Sequence, residues 1–414
     1  MRNPLSLYFH WPYCRSICSY CDFNRVVEKN VNNLKLQQTF IEEIRHFFNE
    51  KANQKNNYTI DTIFFGGGTP SLMPPNLMKA VLDEVKSYGS KEDYQISSNI
   101  EISMEANPTS IEMEKMQDFK AAGVNRLSIG VQSFFKDDLK FLGRQHSPEE
   151  AKQAIQTAIN VFGANSLSID LIYGLPSHVT SKDLWRSTLA EAFSFKLGHL
   201  SCYQLTLERK TKLYREYNTL PSSGSRRSFE LPNDEESLEL FRNTQMMCRE
   251  NGLKQYEVSN YSRAPPLRCR HNVGYWTSND YIGFGPGAAS RISTFHHSDI
   301  FHNNFLQRES FLQHPDPQKW MELPAGEKNV KSELLTENQT LTEILMMGLR
   351  MNDGLRNDIF KRFFNGRSYQ ELLSKRNLEK LCDEQLLDLS DANIIRATSR
   401  GMEVLDSVIK YILS

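Results

Sequence analysis

The 414-residue chain has little that would tie it to a membrane, a polyanion or an oxidising compartment. No apolar run approaches the roughly 20 residues that a membrane-spanning helix needs, so no such span is expected. Forty-nine basic side chains stand against fifty acidic ones, a net charge of −1. No global field then favours nucleic acid or an anionic lipid surface, and binding must be local. The opening Met1-Arg2-Asn3-Pro4 runs directly into an apolar, strand-like segment. It offers neither a signal-peptide core nor the Arg- and Ser-rich stretch of an organelle leader, and the expectation is a reducing, cytoplasmic location. At 39% hydrophobic and 24% charged residues, the chain reads as globular, with one large core and one or two smaller units.

Cysteine is scarce, seven residues in all, yet three fall within eight positions: Cys14-Arg15-Ser16-Ile17-Cys18-Ser19-Tyr20-Cys21. Cys202, Cys248, Cys269 and Cys382 are scattered and read as ordinary buried thiols. A cubane iron–sulfur cluster is normally held by four thiolates, so three at this spacing leave one iron open to another ligand. A structural zinc site needs a fourth Cys or His, and the nearby candidate, His10, lies inside a predicted strand. Disulfides need an oxidising compartment. Three unrelated buried thiols would leave the clustering unexplained.

After the cysteine loop, residues 34–48 place Leu36, Phe40, Ile41, Ile44, Phe47 and Phe48 at helical spacing. Strand-like runs at 62–65, 100–105, 126–131, 167–172 and 199–205 then alternate with helical patterns at 76–85, 111–121, 148–161 and 182–193. With the run at 5–10, six strands separated by helices predict an α/β fold. Right-handed crossovers curve such a parallel sheet into a partial (β/α)6 TIM-like barrel.

Chemistry in such a fold gathers beyond the strand C-termini. There lie the cysteine loop, Gly66-Gly67-Gly68-Thr69-Pro70, Met104-Glu105-Ala106-Asn107-Pro108 and Gln132, while Asp170 sits inside the fifth strand. Glycines let backbone approach a ligand without an intervening side chain, although a tight turn would use them equally. Glu105 and Asp170 at one mouth suit a ligand rich in hydroxyls and amines; each alone also reads as a strand-end cap or ion-pair partner.

Together these residues resemble the radical S-adenosylmethionine enzymes over most of the chain. The resemblance implies that Cys14, Cys18 and Cys21 hold a [4Fe-4S] cluster whose fourth iron takes the amino and carboxylate groups of S-adenosylmethionine. An electron from the cluster would cleave a carbon–sulfur bond to give a 5′-deoxyadenosyl radical. By the same resemblance, Tyr8 and the Gly67-Gly68-Thr69 backbone hold the methionine end and Tyr20 packs near the adenine. Glu105, Gln132, Arg144 and Asp170 bind the remaining polar atoms.

Within the superfamily, Tyr8-Phe9-His10-Trp11-Pro12-Tyr13-Cys14 and Ile169-Asp170-Leu171-Ile172-Tyr173-Gly174-Leu175-Pro176 resemble the coproporphyrinogen dehydrogenase branch. Those enzymes have a longer N-terminal extension and a further cysteine two positions after the third ligand; here Asp22 and Phe23 follow Cys21. Arg270-His271-Asn272-Val273-Gly274-Tyr275-Trp276 is instead similar to the His-Asn-x-x-Tyr-Trp signature of the HemW heme chaperones. His271 would offer a neutral imidazole to heme iron, Tyr275 and Trp276 flat apolar surface, and Arg268 and Arg270 partners for propionates. A packed histidine among core aromatics is the plainer alternative. Gly283-Phe284-Gly285-Pro286-Gly287-Ala288 continues with Ala289 where the family has histidine, leaving His296, His297 and His302 as candidates to substitute.

Residues 221–227 are too polar and Gly/Ser-rich for a core and predict a mobile loop. Asp234 reads as the cap of a helix through Met247, followed by an extra strand at 255–259. Apolar residues at helical spacing in 341–349, 369–373, 377–387 and 402–412 predict a small, mainly helical C-terminal domain. Its Gly348-Leu349-Arg350 segment is a candidate to approach the mouth. The expected units are 1–215, 216–325 and 326–414. The expected function is a heme chaperone that uses the cluster and S-adenosylmethionine, draws on an electron donor and passes heme to acceptors such as respiratory cytochromes. The alternative is a radical enzyme acting on a tetrapyrrole, either an oxygen-independent coproporphyrinogen III dehydrogenase or a methyltransferase.

Overall fold

The computed structural model describes residues 2–51, 57–89, 94–219, 228–298 and 303–414. The loop 221–227, His302 and the side chains of His296 and His297 lie outside the described residues. All six expected strands form: β1 (Asn3–Trp11), β2 (Tyr58–Gly67), β3 (Tyr94–Ala106), β4 (Arg126–Gln132), β5 (Leu167–Tyr173) and β6 (His199–Gln204). They lie side by side in chain order, every pair parallel.

Alternation along these strands sorts the side chains. Leu5, Leu7 and Phe9 of β1, Ile63 and Phe65 of β2, and Ile169 and Leu171 of β5 enter one large core. The helices Asn33–Lys51, Pro75–Tyr88, Pro148–Phe162 and Asp183–Ser194 complete it with Phe40, Val81, Ile155 and Leu189. The residues between, Tyr8, Ser103, Glu105, Ser168 and Asp170 among them, line the barrel interior instead. The helix expected at 111–121 is divided into Ser110–Met113 and Met116–Ala122.

The sheet is wider than the sequence suggests. β7 (Lys254–Glu257) and β8 (Asn260–Ser262) replace the single strand expected at 255–259 and extend the sheet antiparallel beyond β6. On the opposite side β9 (Asp280–Phe284) pairs parallel with β1, and β10 (Ala289–Ser298), β11 (Asn303–Gln313) and β12 (Asn329–Leu334) continue antiparallel. The helix Asp234–Glu250 is capped by Asn233 rather than Asp234, its side chain accepting the Glu236 N–H at 3.0 Å.

The C-terminal unit has its own core, with Ile344, Phe360, Leu381 and Val408 buried. Its helices, Glu337–Gly348, Asn357–Phe363, Lys375–Asp383 and Leu405–Leu413, accompany a small sheet of Leu355–Arg356, Leu387–Asp388 and Ile394–Ala397. Among the described residues no helix is long and apolar enough to cross a membrane.

Candidate functional site

A cleft of about 400 Å³ opens at the C-terminal ends of the parallel strands, the mouth of the barrel. Cys14, Cys18, Cys21, Tyr20, Gly67, Gly68, Thr69, Glu105, Gln132, Arg144 and Asp170 all line it. Tyr8 and His271 do not: they border a deeper cavity of about 210 Å³ inside the barrel. Glu105, Asp170 and Tyr203 border both.

The glycine run holds the cysteine loop in place. Gly68 N–H donates to the Trp11 carbonyl at 2.7 Å, Thr69 N–H to the Tyr13 carbonyl at 3.0 Å, and Gly67 N–H to Glu105 Oε2 at 3.3 Å. These three amides are spent on the protein itself, not left for a ligand. A Cβ on Gly67, at φ +107°, would lie 2.5 Å from the His10 ring, and one on Gly68 would meet the Trp11 and Tyr13 carbonyls at 2.9 Å. Close packing alone therefore demands glycine here.

All three cysteines of the loop are free and partly exposed. Thr69 Oγ1 donates to Cys14 Sγ at 3.4 Å, and Arg144 Nη1 to Cys18 Sγ at 3.4 Å. Arg25 donates to the carbonyls of Cys21 and Phe23, fixing the end of the loop. Burial pushes the Cys14 and Cys21 thiols up; a bound metal would deprotonate them. No three His, Cys, Asp or Glu side chains among the described residues converge as on a single ion. A cube spreads its thiolates over separate irons, and three sulfurs ringing one cleft, two already receiving hydrogen bonds, fit that group.

Glu105 and Asp170 are two partly buried acids of the mouth. Burial and the neighbouring Asp170 push the Glu105 carboxyl up to about 8. Asp170 is also raised by burial, against the hydroxyls of Ser201 and Ser128 that stabilise its charge; Ser128 donates to Oδ1 at 2.9 Å. Two partly buried carboxyls that repel each other across one cleft favour a cationic ligand over an anionic one. Gln132 holds φ +71°, a left-handed conformation rare without glycine. The pairing of β4 with β5 shifts register between Gly130 and Gln132, and this bulge lays the Gln132 side chain over Gly130, where a Cβ would meet Nε2 at 2.9 Å.

Arg144 is tied to the cluster loop and to a residue that sequence reasoning left without a role. Its Nη2 donates to Asn107 Oδ1 at 2.6 Å and to the Gly130 carbonyl at 2.8 Å. Asn107 lies just past β3, and that strand-end position was the available signal. Tyr20 lines the cleft and packs against the apolar cluster that contains Leu142, Leu175 and Leu213.

The His271 segment occupies the other end of the barrel, its floor. The first N–H groups of the helix Arg270–Trp276 donate to buried Glu101 at 3.1 and 3.2 Å, which is paired with Arg126 at 3.6 Å. His271 is 1% exposed and stacks on Phe64 with ring centroids 4.9 Å apart. Its Nδ1 lies 2.8 Å from Thr62 Oγ1 and its Nε2 2.8 Å from the Tyr275 hydroxyl; burial pulls it down to about 3. Thr62 precedes Gly67 by five positions on β2, roughly 16 Å along a strand. Tyr8 lies between the two levels, stacked on Phe64 and hydrogen-bonded to His10 Nδ1 at 3.1 Å. Arg268 is paired with Asp353 and Arg270 with Asp61, at 3.6 Å, so both cations are engaged. Arg350 lies over the Trp276 ring at 4.7 Å and meets buried Glu257 at 3.5 Å. The 348–350 segment, a candidate to approach the mouth, thus joins the floor helix instead.

Comparison with known proteins identifies the family. Residues 8–181 match the Radical SAM superfamily and residues 335–404 the HemN C-terminal domain. "Radical S-adenosyl methionine domain-containing protein 1, mitochondrial" of Danio rerio is 35% identical over 411 residues, covering 99% of this chain and 86% of its own. "Heme chaperone HemW" of Escherichia coli is 36% identical over 315 residues, 75% of each chain. The solved structure of coproporphyrinogen III oxidase (HemN) from Escherichia coli shares the fold, with TM-score 0.74 at 19% identity over 100% of this chain and 91% of its own. The chain belongs to the radical S-adenosylmethionine superfamily and, within it, to the HemW family.

Proposed function

We propose that this protein is a heme chaperone: it binds heme and passes it to acceptor proteins such as respiratory cytochromes, in a reducing compartment such as the cytoplasm. The observation that carries the reading is one chain combining the three-cysteine mouth with the His271–Trp276 floor helix, at 36% identity to a heme chaperone. Phe23, 56% exposed at the mouth, stands where the dehydrogenase branch has a cysteine. Membership of the superfamily implies a [4Fe-4S] cluster and S-adenosylmethionine. When bound, they supply a one-electron cleavage of a carbon–sulfur bond.

Cys14, Cys18 and Cys21 would hold the cluster. Glu105 and Asp170 would face the cationic cofactor, and Gln132 and Tyr20 would close its sides. Heme would be taken by His271, whose ring is held in the neutral form that ligates iron. Because both ring nitrogens are already bonded, uptake requires the floor helix to move and the Tyr275 contact to break. Arg268 and Arg270 would then exchange their carboxylate partners for propionates.

The test uses anaerobically reconstituted protein with reductant, given either heme or coproporphyrinogen. Stoichiometric heme retention with a Soret band, and transfer to an apo-cytochrome, are expected. Decarboxylated porphyrinogen at many turnovers would overturn the reading in favour of the enzyme.

A further inference from the structure

Two of the three loop thiols stand at the ends of a hydrogen-bonded chain whose direction is dictated by its members. A guanidinium can only donate. Arg144 reaches Cys18 Sγ through Nη1 at 3.4 Å and Asn107 Oδ1 through Nη2 at 2.6 Å. The Asn107 oxygen is therefore the acceptor and its NH2 group the donor, to Thr69 Oγ1 at 3.2 Å. A hydroxyl that accepts from Asn107 has its own proton left for its other neighbour, Cys14 Sγ at 3.4 Å. Asn107 touches neither sulfur, yet it fixes the donor presented to each.

We propose that Asn107 is a positioning residue that sets the reduction potential of the cluster by holding Thr69 and Arg144 as donors to Cys14 and Cys18. Reduction adds one electron, supplied from outside, and makes no bond. The extra negative charge falls partly on the sulfurs. Donors aimed at those sulfurs stabilise the reduced form more than the oxidised one, so they raise the potential. Without Asn107, the Thr69 hydroxyl is free to turn away and the Arg144 fork loses one of its anchors. The inference rests on the cluster alone and stands or falls independently of heme binding.

The experiment is a redox titration of the reconstituted full-length protein, with dithionite as reductant and the paramagnetic signal of the reduced cluster as readout. Asn107→Ala is expected to retain iron and sulfide while its reduction equilibrium shifts about tenfold against reduction, 59 mV for a one-electron couple. Thr69→Val, which removes only the Cys14 donor, should shift it less. The double variant should shift less than the sum of the two, because both changes act through one hydroxyl. A midpoint for Asn107→Ala equal to wild type, with only cluster yield or thermal stability altered, would overturn the assignment. Should that variant take up no cluster, Thr69→Val decides alone, and a wild-type midpoint there overturns it equally.

Discussion

His271 and Tyr275 lie one helical turn apart, and the tyrosine hydroxyl meets imidazole Nε2 at 2.8 Å. On the other side of the ring, Thr62 Oγ1 donates to Ser6 Oγ at 2.9 Å and so accepts from Nδ1. Nδ1 carries the proton, Nε2 carries the lone pair, and the tyrosine occupies it.

Tyr275→Phe would release that lone pair without emptying the site. Its expected effect is tighter heme binding by about 1 kcal/mol, roughly fivefold, read in a Soret titration. His271→Ala should abolish the Soret band and leave the cluster absorption. It should also cost about 2–4 kcal/mol in denaturant unfolding, because Thr62 and Tyr275 lose buried partners. Heme retention by His271→Ala equal to wild type would remove His271 from its role.

The Glu105 carboxyl is pushed up to about 8, against an ordinary value of 4.5. The folded state holds this proton where the unfolded chain releases it. Its contribution to stability is full below pH 4.5 and is lost as pH rises through about 8. Glu43, raised to about 8 by burial, acts with the same sign. Melting profiles from pH 5 to 9 should therefore be flatter for Glu105→Gln but not flat. Binding of S-adenosylmethionine, a cation, should weaken as pH falls through about 8 in wild type and lose that dependence in the variant.

Gly67→Ala places a methyl group against His10 at a φ of +107°. Strain and overlap together should cost at least about 2 kcal/mol. The site feels the cost as well, since Gly67 and Gly68 position the loop. Iron bound per chain after reconstitution should fall below wild type; full iron content would separate glycine packing from cluster assembly.

Trp276→Ala removes the ring beneath Arg350. Lost packing and cation–π contact should loosen the C-terminal unit by about 2–3 kcal/mol, and protease should cut ahead of Glu337 at lower dose. The cluster spectrum should not change. An unaltered digestion pattern would show that Arg350 and Trp276 do not couple the two units.

The six parallel strands were legible because buried strands are short, apolar and bounded by turn residues. β9 was not, since Gly283 and the glycines after it read as a loop, nor were β10 to β12, whose polar residues give little alternation. β12 illustrates the reason: all its residues except Glu333 are exposed, so no buried face imprints a period of two. At the site, Arg144 looks like a surface arginine until the fold places it between Asn107 and Cys18. Asn107 shows only its strand-end position, because an amide that bridges two distant loops has no spacing pattern of its own.

The order of residues by itself determined the chemistry of the mouth: three thiols at fixed spacing, and carboxylates and glycines at strand ends, are properties of neighbours in the chain. Tertiary structure alone decided how those groups are held and which end of the barrel each serves. The Arg144–Asn107 contact joins residues 37 positions apart, and the Thr62–His271 contact joins residues 209 apart. Contacts of that range form only when successive crossovers bring strand ends together, so the closure of the floor by His271 and Tyr275 could be read only from the folded chain.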